Sequence, residues 1–402
     1  MTDQSAQVIP SYLREINERR VLGVLRESGT AHAAEVARLA GLSRPTAAQI
    51  LRSLIDVGLV EELDPTSGDP KRARTMYQAV SDLGVVLSLD IGARFVRAAI
   101  ADLNGRVLAS HSVPTTSLAL DSILSVVKTA TTDVLTSAGY TRDDVVSLVV
   151  GSPGVIDQKA GSISIAGTIA ELDGVVLSDL IGKDFKVTPT IENDVNLVTI
   201  AEQTYGEGQD VENFAVMSVG SGIGAGLVLN KKLHRGFRGA AGEIFYVPFG
   251  DISDTHRSET DPSGSSIQRV AQQLAPKFSN SRLSEPYDSV SVFDAARYKD
   301  QLALAVVEDI AQRMARYIAS ITAVVDVETV ILAGGIGRQA DVLLAEIQAV
   351  VARLVPFAPT IAVSSLGETA VLMGGIALGT QLAQDEVFAQ RSAAYQAARE
   401  VS

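Results

Sequence analysis

Near residue 82 the hydrophobic rhythm of the chain changes, and that change constrains the fold more than any other feature of its 402 residues. Before it, apolar residues recur at helical spacing. Val21, Leu22, Val24 and Leu25 share one side of a helix expected over 12–28, residues 33–40 form a short second helix, and Ala47, Ile50, Leu51 and Leu54 mark a third running to about Val57. Two short strands are expected next, about Leu59–Leu63 and Thr75–Val80, joined by the turn-rich, basic segment DPTSGDPKRAR. After residue 82, VVLSLDIG, VRAAIADLNG and RVLASHSV read as three strands in succession with Gly-bearing turns between them. Helices near 121–138 and 301–324 then alternate with strands at 145–151, 213–220 and 225–230 and at TVILAGG and TIAVSS. Strand–helix alternation of this kind builds an α/β fold. The chain therefore divides into a small helical unit, residues 1–82, and a larger α/β unit, residues 83–402.

The α/β unit carries a weak internal repeat. LSLDIGARFVRAAIADLNG and AVMSVGSGIGAGLVLNKKL each read as strand, glycine-bearing turn, strand. Two such hairpins predict two related lobes facing a cleft, each offering backbone N–H groups to a phosphate. The first lobe is expected over about 83–200 plus the C-terminal helix, the second over about 201–375. The polar stretch 251–266, DISDTHRSETDPSGSS, reads as a loop.

In the small unit, packing the second helix on the third needs a small residue at the contact and then a turn residue that accepts positive φ. Ala37 and Gly41 meet both demands. Ser43 is the expected N-cap, and Pro45 falls in the first turn, where its missing N–H costs nothing. With Ala47 and Ile50 buried, Arg44, Thr46, Gln49, Arg52 and Ser53 face outward, side chains suited to base edges and phosphates in a major groove. Lys71, Arg72 and Arg74 would lie on the wing within reach of phosphates or a minor groove. The unit reads as a winged helix-turn-helix with double-stranded DNA as its expected partner; the plainer reading is a small helical bundle for protein contacts whose basic face is only solvated.

The net charge of −13 does not exclude nucleic acid. The first 80 residues hold ten basic and ten acidic side chains, so the excess lies in residues 81–402, with 24 basic against 37 acidic. Local potential decides binding, so a neutral module can take DNA while the acidic body points away. With no cysteine, disulfides and thiolate metal sites are excluded, and the four histidines, His32, His111, His234 and His256, are scattered. Neither a metal nor a cofactor is expected. The opening Met-Thr-Asp-Gln-Ser-Ala-Gln lacks the basic and apolar regions of a signal peptide, and no apolar run approaches the ~18 residues that would span a bilayer. The expected location is cytoplasmic, with no membrane partner.

Four stretches of the α/β unit resemble the ROK family of repressors, uncharacterised reading frames and sugar kinases: LDIGARFVRAAIADLNG (89–105), IENDVNLVTIAEQTYG (191–206), VGSGIGAGLVLNKKLHRGFRGAAGEI (219–244) and ILAGGIG (331–337). The winged helix in front looks like that of the family's repressors, since its kinases usually lack one. The resemblance implies a two-lobed actin/hexokinase-like fold with a sugar at the cleft floor. It implies that Asn193 and Asp194 match the family's Asn-Asp pair, in which both side chains bind sugar and the Asp takes the sugar hydroxyl proton, and that Glu243 matches the sugar-binding Glu. It places phosphate loops at Gly92, Gly220, Gly222, Gly224, Gly334 and Gly335. Each residue also has a plainer reading: Asp194 capping the following helix, Glu243 an ordinary loop carboxylate, the glycines turning hairpins.

The departures from the family pattern are specific. Where its kinases read Asp-Ile-Gly-Gly-Thr-Lys, this chain reads Asp90-Ile91-Gly92-Ala93-Arg94-Phe95, without the Thr hydroxyl and the Lys. Where they read Ala-Gly-Glu-Ile-Gly-His, it reads Ala241-Gly242-Glu243-Ile244-Phe245-Tyr246, so the His that meets sugar and zinc is gone and Tyr246 stands as its replacement on the sugar side. The Cys-rich zinc segment is missing. The expectation is a DNA-binding repressor, a homodimer or homotetramer, that senses a sugar or sugar phosphate and is not an enzyme. Two alternatives stay open: an active ATP-dependent sugar kinase that also binds DNA, with Asp194 as its catalytic base, and a regulator with a non-sugar effector or none.

Overall fold

The computed structural model describes residues 5–63, 75–157, 159–249 and 259–400. Lys71, Arg72 and Arg74 therefore lie outside the described residues. The N-terminal unit comprises α1 (Ser5–Ser28), β1 (Thr30–His32), α2 (Ala33–Leu39), α3 (Arg44–Asp56), β2 (Val60–Leu63) and β3 (Met76–Ala79), its strands ordered β1-β3-β2. The turn chemistry behaves as its residues dictate. Gly41 takes φ 64°, the Ser43 hydroxyl accepts from Thr46 N at 3.3 Å, and Pro45 sits in the first turn of α3. β1 is too short to show a period in the sequence. It exists because β3 pairs with it, Thr30 opposite Gln78.

The α/β unit contains two five-stranded sheets of the same topology. The first runs through β4 (Val85–Ile91), β5 (Phe95–Ala101), β6 (Val107–Pro114), β7 (Val145–Ser152) and β10 (Thr190–Asn193), ordered β10-β7-β4-β5-β6. A two-residue pair, β8 (Val155–Ile156) and β9 (Ile163–Ser164), stands apart from it. The second sheet uses β11 (Phe214–Val219), β12 (Ile223–Leu229), β13 (Lys232–Leu233), β14 (Thr329–Ala333) and β15 (Thr360–Val363), ordered β13-β12-β11-β14-β15. In each, three strands run antiparallel in succession and two more add in parallel beside the first. The sequence repeat at β4–β5 and β11–β12 is the first hairpin of each sheet.

Helices cover the sheets as parallel strands require. In the first lobe α4 (Leu120–Ser137) and α5 (Leu177–Ile181) close one face. In the second, α7 (Gly264–Leu274), α8 (Ser289–Arg297), α9 (Gln301–Val325) and α11 (Ala340–Leu354) enclose the largest apolar core, with the one-turn α10 (Gly334–Gly337) after β14. Helix α6 (Asp194–Tyr205) follows β10 and packs on β12 of the other sheet, so it joins the lobes. The segment expected as a loop over 251–266 departs from that reading. Residues 250–258 lie outside the described residues, but Thr260, Asp261, Ser263 and Ser266 are buried and α7 begins at Gly264. The polar composition misled because it is satisfied internally: the Asp261 carboxylate accepts from Ser263 N, Ser263 Oγ and Ser266 Oγ at 2.7–3.1 Å.

The last helix, α12 (Ala370–Glu400), ties the molecule together. Its first turns lie across the first sheet and along α6. Gly374 comes so near the backbone of α6 that any side chain there would strike the Leu197 carbonyl. Its later turns leave the sheet and enter the N-terminal unit, where Ala383, Val387 and Phe388 share a core with Val21, Leu22 and Leu25 of α1 and with Val86 and Leu103 of the first lobe. Arg19 ion-pairs with Asp385 and lies 4.5 Å over the Phe388 ring, Arg26 donates to Gln384 Oε1 at 3.0 Å, and Tyr395 donates to Asp56 at 3.3 Å. No helix among the described residues is long and apolar enough to cross a membrane.

Candidate functional site

On α3, Arg44, Gln49 and Arg52 are exposed side by side along one face. Thr46 is half-buried, its hydroxyl 2.7 Å from the capping Ser43 hydroxyl. Ser53, grouped with them by periodicity, is not free: it donates to Glu18 Oε1 at 2.9 Å and accepts from Arg14 at 2.7 Å, locking α3 to α1. The face left open for a partner is therefore cationic and amide-bearing, the chemistry that reads guanine and adenine edges.

The second candidate site lies where the lobes meet. Asp90 at the end of β4, Asp194 at the start of α6 and Glu243 beyond β13 sit close enough that Asp90 and Glu243 both act on the charge of Asp194. Loss of surrounding water, then the Asp90 charge, pushes the Asp194 carboxyl up to about 7. Burial also pushes Asp90 up to about 6, against the pull of Arg97. Burial raises Glu243 as well. Asp194 accepts from its neighbour Val195 N at 2.8 Å but faces no cation, and the Glu243 carboxylate has no hydrogen-bond partner among the described residues. Gly242 holds Glu243 in place: at φ 94° it lies against the Ala225 carbonyl so tightly that no side chain would fit.

Of the Asn-Asp pair, Asn193 is the residue that caps the helix, its Oδ1 accepting from Asn196 N at 3.1 Å and its Nδ2 donating to the Gly154 carbonyl at 2.9 Å. Asp194, whose plainer reading was that cap, accepts instead from the adjacent Val195 N. Tyr246 is 43% exposed and packs edge-on to Phe245, 5.7 Å between ring centres. Two ion pairs escaped the sequence reading. Arg97 donates to Asp90 at 3.3 Å and to Glu368 at 2.9 Å. Arg235 donates to the buried Glu192 at 2.6 Å, and Glu192 also accepts from Asn193 N and Asn196 Nδ2. Counting outward from the Ala93-Arg94 turn places Asp90 opposite Arg97, so the hairpin register was a usable signal for the first. No comparable local signal existed for the second.

The glycines divide by environment. Gly222 and Gly335 border open space, Gly220 lies 3.9 Å from Gly335 N measured from where its side chain would be, and Gly264 N donates to the Gly220 carbonyl at 2.9 Å. These three loops converge in the second lobe. Gly224 instead packs β12 against Val195 of α6, and Gly334, at φ 79°, lies against the Val219 carbonyl. Gly92 is turned in on itself, its N–H on the Phe95 carbonyl at 3.0 Å and its own carbonyl accepting from Thr115 Oγ1 at 3.2 Å. Among the described residues no group of three His, Cys, Asp or Glu is placed to hold a metal ion.

Comparison with known proteins agrees with this architecture. The ROK family model matches residues 86–381, and the IclR helix-turn-helix domain model matches residues 20–64. The chain is 24% identical over 345 residues to the DNA-binding transcriptional dual regulator NagC of Escherichia coli, covering 83% of this chain and 84% of that one. It is 26% identical over 275 residues to a glucokinase of Halalkalibacterium halodurans, covering 65% and 83%. A solved ROK family transcriptional regulator, described as a homologue of the E. coli MLC protein, superposes with a TM-score of 0.77 at 22% identity over 94% of this chain and 98% of that one. Its helix-turn-helix and kinase-like body together match regulators, whereas the glucokinase aligns with about two thirds of it. The chain thus belongs to the ROK family, among its DNA-binding, repressor-type regulators rather than its enzymes.

Proposed function

We propose that the interlobe site binds a sugar or sugar phosphate through Asp194 and Glu243, and that occupancy changes the affinity of α3 for an operator. The observation that carries this reading is the pair of water-poor carboxylates with no cation beside them. Such groups are costly to keep, and hydroxyl donors from a ligand would satisfy them. The converging Gly220, Gly222 and Gly335 loops leave room for a phosphate beside the same site. Phosphoryl transfer is the weaker use: Asp90 is engaged by Arg97, and the first loop, closed on Gly92, lacks a hydroxyl donor.

The route to DNA is α12. It touches α6 three residues after Asp194 at one end and buries Phe388 against α1 at the other. A shift of α6 on ligand binding thus has a packed path to the recognition helix. A dimer of such units would read a palindromic site with half-sites spaced by whole helical turns. The test is two-part. Sugars and sugar phosphates are screened by thermal shift, and the hits by mobility shift on the chain's own upstream DNA. Ligands that stabilise the wild type but not Asp194→Asn, and that change its DNA affinity, support the reading; a hit that acts equally on both removes it. Arg44→Ala and Gln49→Ala should each weaken specific DNA by about 1–3 kcal/mol if they meet bases.

A further inference from the structure

The second lobe holds a separate concave pocket that the reading above leaves unused. It has a volume of about 730 Å³, inside the size range of small-molecule sites. Segment 277–283 and turn 298–301 form its walls, with Lys277, Phe278, Asn280, Arg282, Tyr298 and Lys299 lining it. It opens at the C-terminal end of α7, whose N-terminus meets the Gly220 loop. Eleven residues at about 1.5 Å each put roughly 16 Å of helix between them.

Charge sets this pocket apart. The body of the protein is acidic, yet three cations converge here, and among the described residues none of the Lys277, Arg282 and Lys299 side chains has an ion pair or hydrogen bond. The one carboxylate in the wall, Asp300, stays ionised and offsets one of the three charges, but it pairs with none of them. Burial works to raise Asp300, but its oxygens accept from Ser281 Oγ and from the backbone N–H of Arg282, Leu302 and Ala303, and these hold it below the usual carboxylate range. Lys299 adopts φ 63°, a left-handed conformation that costs a non-glycine residue about 1 kcal/mol. Tyr298 is 89% exposed, an aromatic ring left in water at the rim. Three cations against one carboxylate, beside an unpacked ring, match a ligand that supplies both negative oxygens and a flat face.

We propose that this pocket binds a nucleoside phosphate, its phosphate oxygens on Lys277, Arg282 and Lys299 and its base against Tyr298 and Phe278. Arginine takes two phosphate oxygens at once, the lysines act as point charges, and Asn280 offers both donor and acceptor to a base edge. The regulator thereby gains a second input, physically distinct from the interlobe site.

The test uses AMP as the probe, with isothermal titration on the full chain. Wild type should bind, and Lys277→Ala, Arg282→Ala and Lys299→Ala should each weaken binding about tenfold, the loss of one charge-assisted contact. All three side chains are exposed, so folding is not at stake. Tyr298→Ala should weaken AMP while leaving inorganic pyrophosphate unchanged, and Asp194→Asn should leave AMP affinity intact. The proposal is overturned if AMP does not bind, or if these variants bind it like wild type. It is equally overturned if binding is lost in Gly222→Val instead, which would put the nucleotide at the interlobe glycines. Tighter capture of a polyglutamate peptide than of AMP would also overturn it, in favour of an acidic protein partner.

Discussion

The junction between the N-terminal unit and α12 and the site between the lobes treat charge in different ways. At the junction most cations have partners: Arg19 meets Glu15 and Asp385, and Arg14 meets Glu18 and Ser53, while Arg26, whose pKa burial lowers to about 10, has the Gln384 amide oxygen. Between the lobes, Asp194 and Glu243 face no cation, and burial favours their protonated forms, while Asp90 is answered by Arg97 and Glu192 by Arg235. Satisfied polar groups hold a structure in one arrangement; unsatisfied ones raise the energy of the empty state and lower it when a partner arrives. Under the proposed function, the difference separates the part of the molecule that would transmit from the part that would receive.

The largest effect should come from breaking the transmitting side. Phe388 is buried at the junction, and Phe388→Ala should cost about 3–5 kcal/mol, the range for an aromatic removed from a core. Denaturant unfolding reads the loss. Ligand binding should survive in this variant while the DNA response to ligand disappears; a full response would show that α12 is not the path.

Next in size is Arg235→Ala, which strips the Glu192 carboxylate of its cation. The pair is one-sided in exposure, 3% for Glu192 and 33% for Arg235, so roughly 2–4 kcal/mol is expected rather than the full penalty of a buried pair. Because Glu192 accepts from Asn193 N and Asn196 Nδ2, the start of α6 should loosen too, visible as faster amide exchange there. Unchanged exchange would make Arg235 a surface ornament.

A pH series sharpens the receiving side. Asp194 is held near 7 against an ordinary 3.8, so the folded protein keeps a proton there that the unfolded chain releases. Stability should fall as pH rises from about 4 to about 7 and level off above, and Asp90 adds to the same slope up to about 6. Asp194→Asn should flatten the curve and, above pH 7, exceed the wild type by roughly 1–3 kcal/mol. Equal slopes for both proteins would show that Asp194 ionises freely.

The smallest effect belongs to Tyr395→Phe. It removes one exposed hydrogen bond to Asp56, at 3.3 Å, from a junction held mainly by apolar packing. A change of about 0.5 kcal/mol is expected from denaturant midpoints. A loss of several kcal/mol would mean that the hydrogen bonds, not the Phe388 core, hold the two units together.

The sequence by itself determined whatever depends on near neighbours. The turn from α2 to α3 follows from Gly41, Ser43 and Pro45 because a positive φ, a cap and a missing N–H are properties of a few consecutive residues. The exposed face of α3 follows from helical spacing, and the duplicated sheet was visible in two hairpins of like pattern. Spacing could not tell that Ser53 is tied to Glu18, that Asn193 rather than Asp194 caps α6, or that the polar run around Asp261 is buried, because each depends on what lies opposite in space. The tertiary structure alone decided the rest. Arg19 meets Asp385, 366 residues away, and Arg235 meets Glu192 across the lobes. A charge is answered or left open by the groups that folding brings to it, and chain order carries no record of that distance.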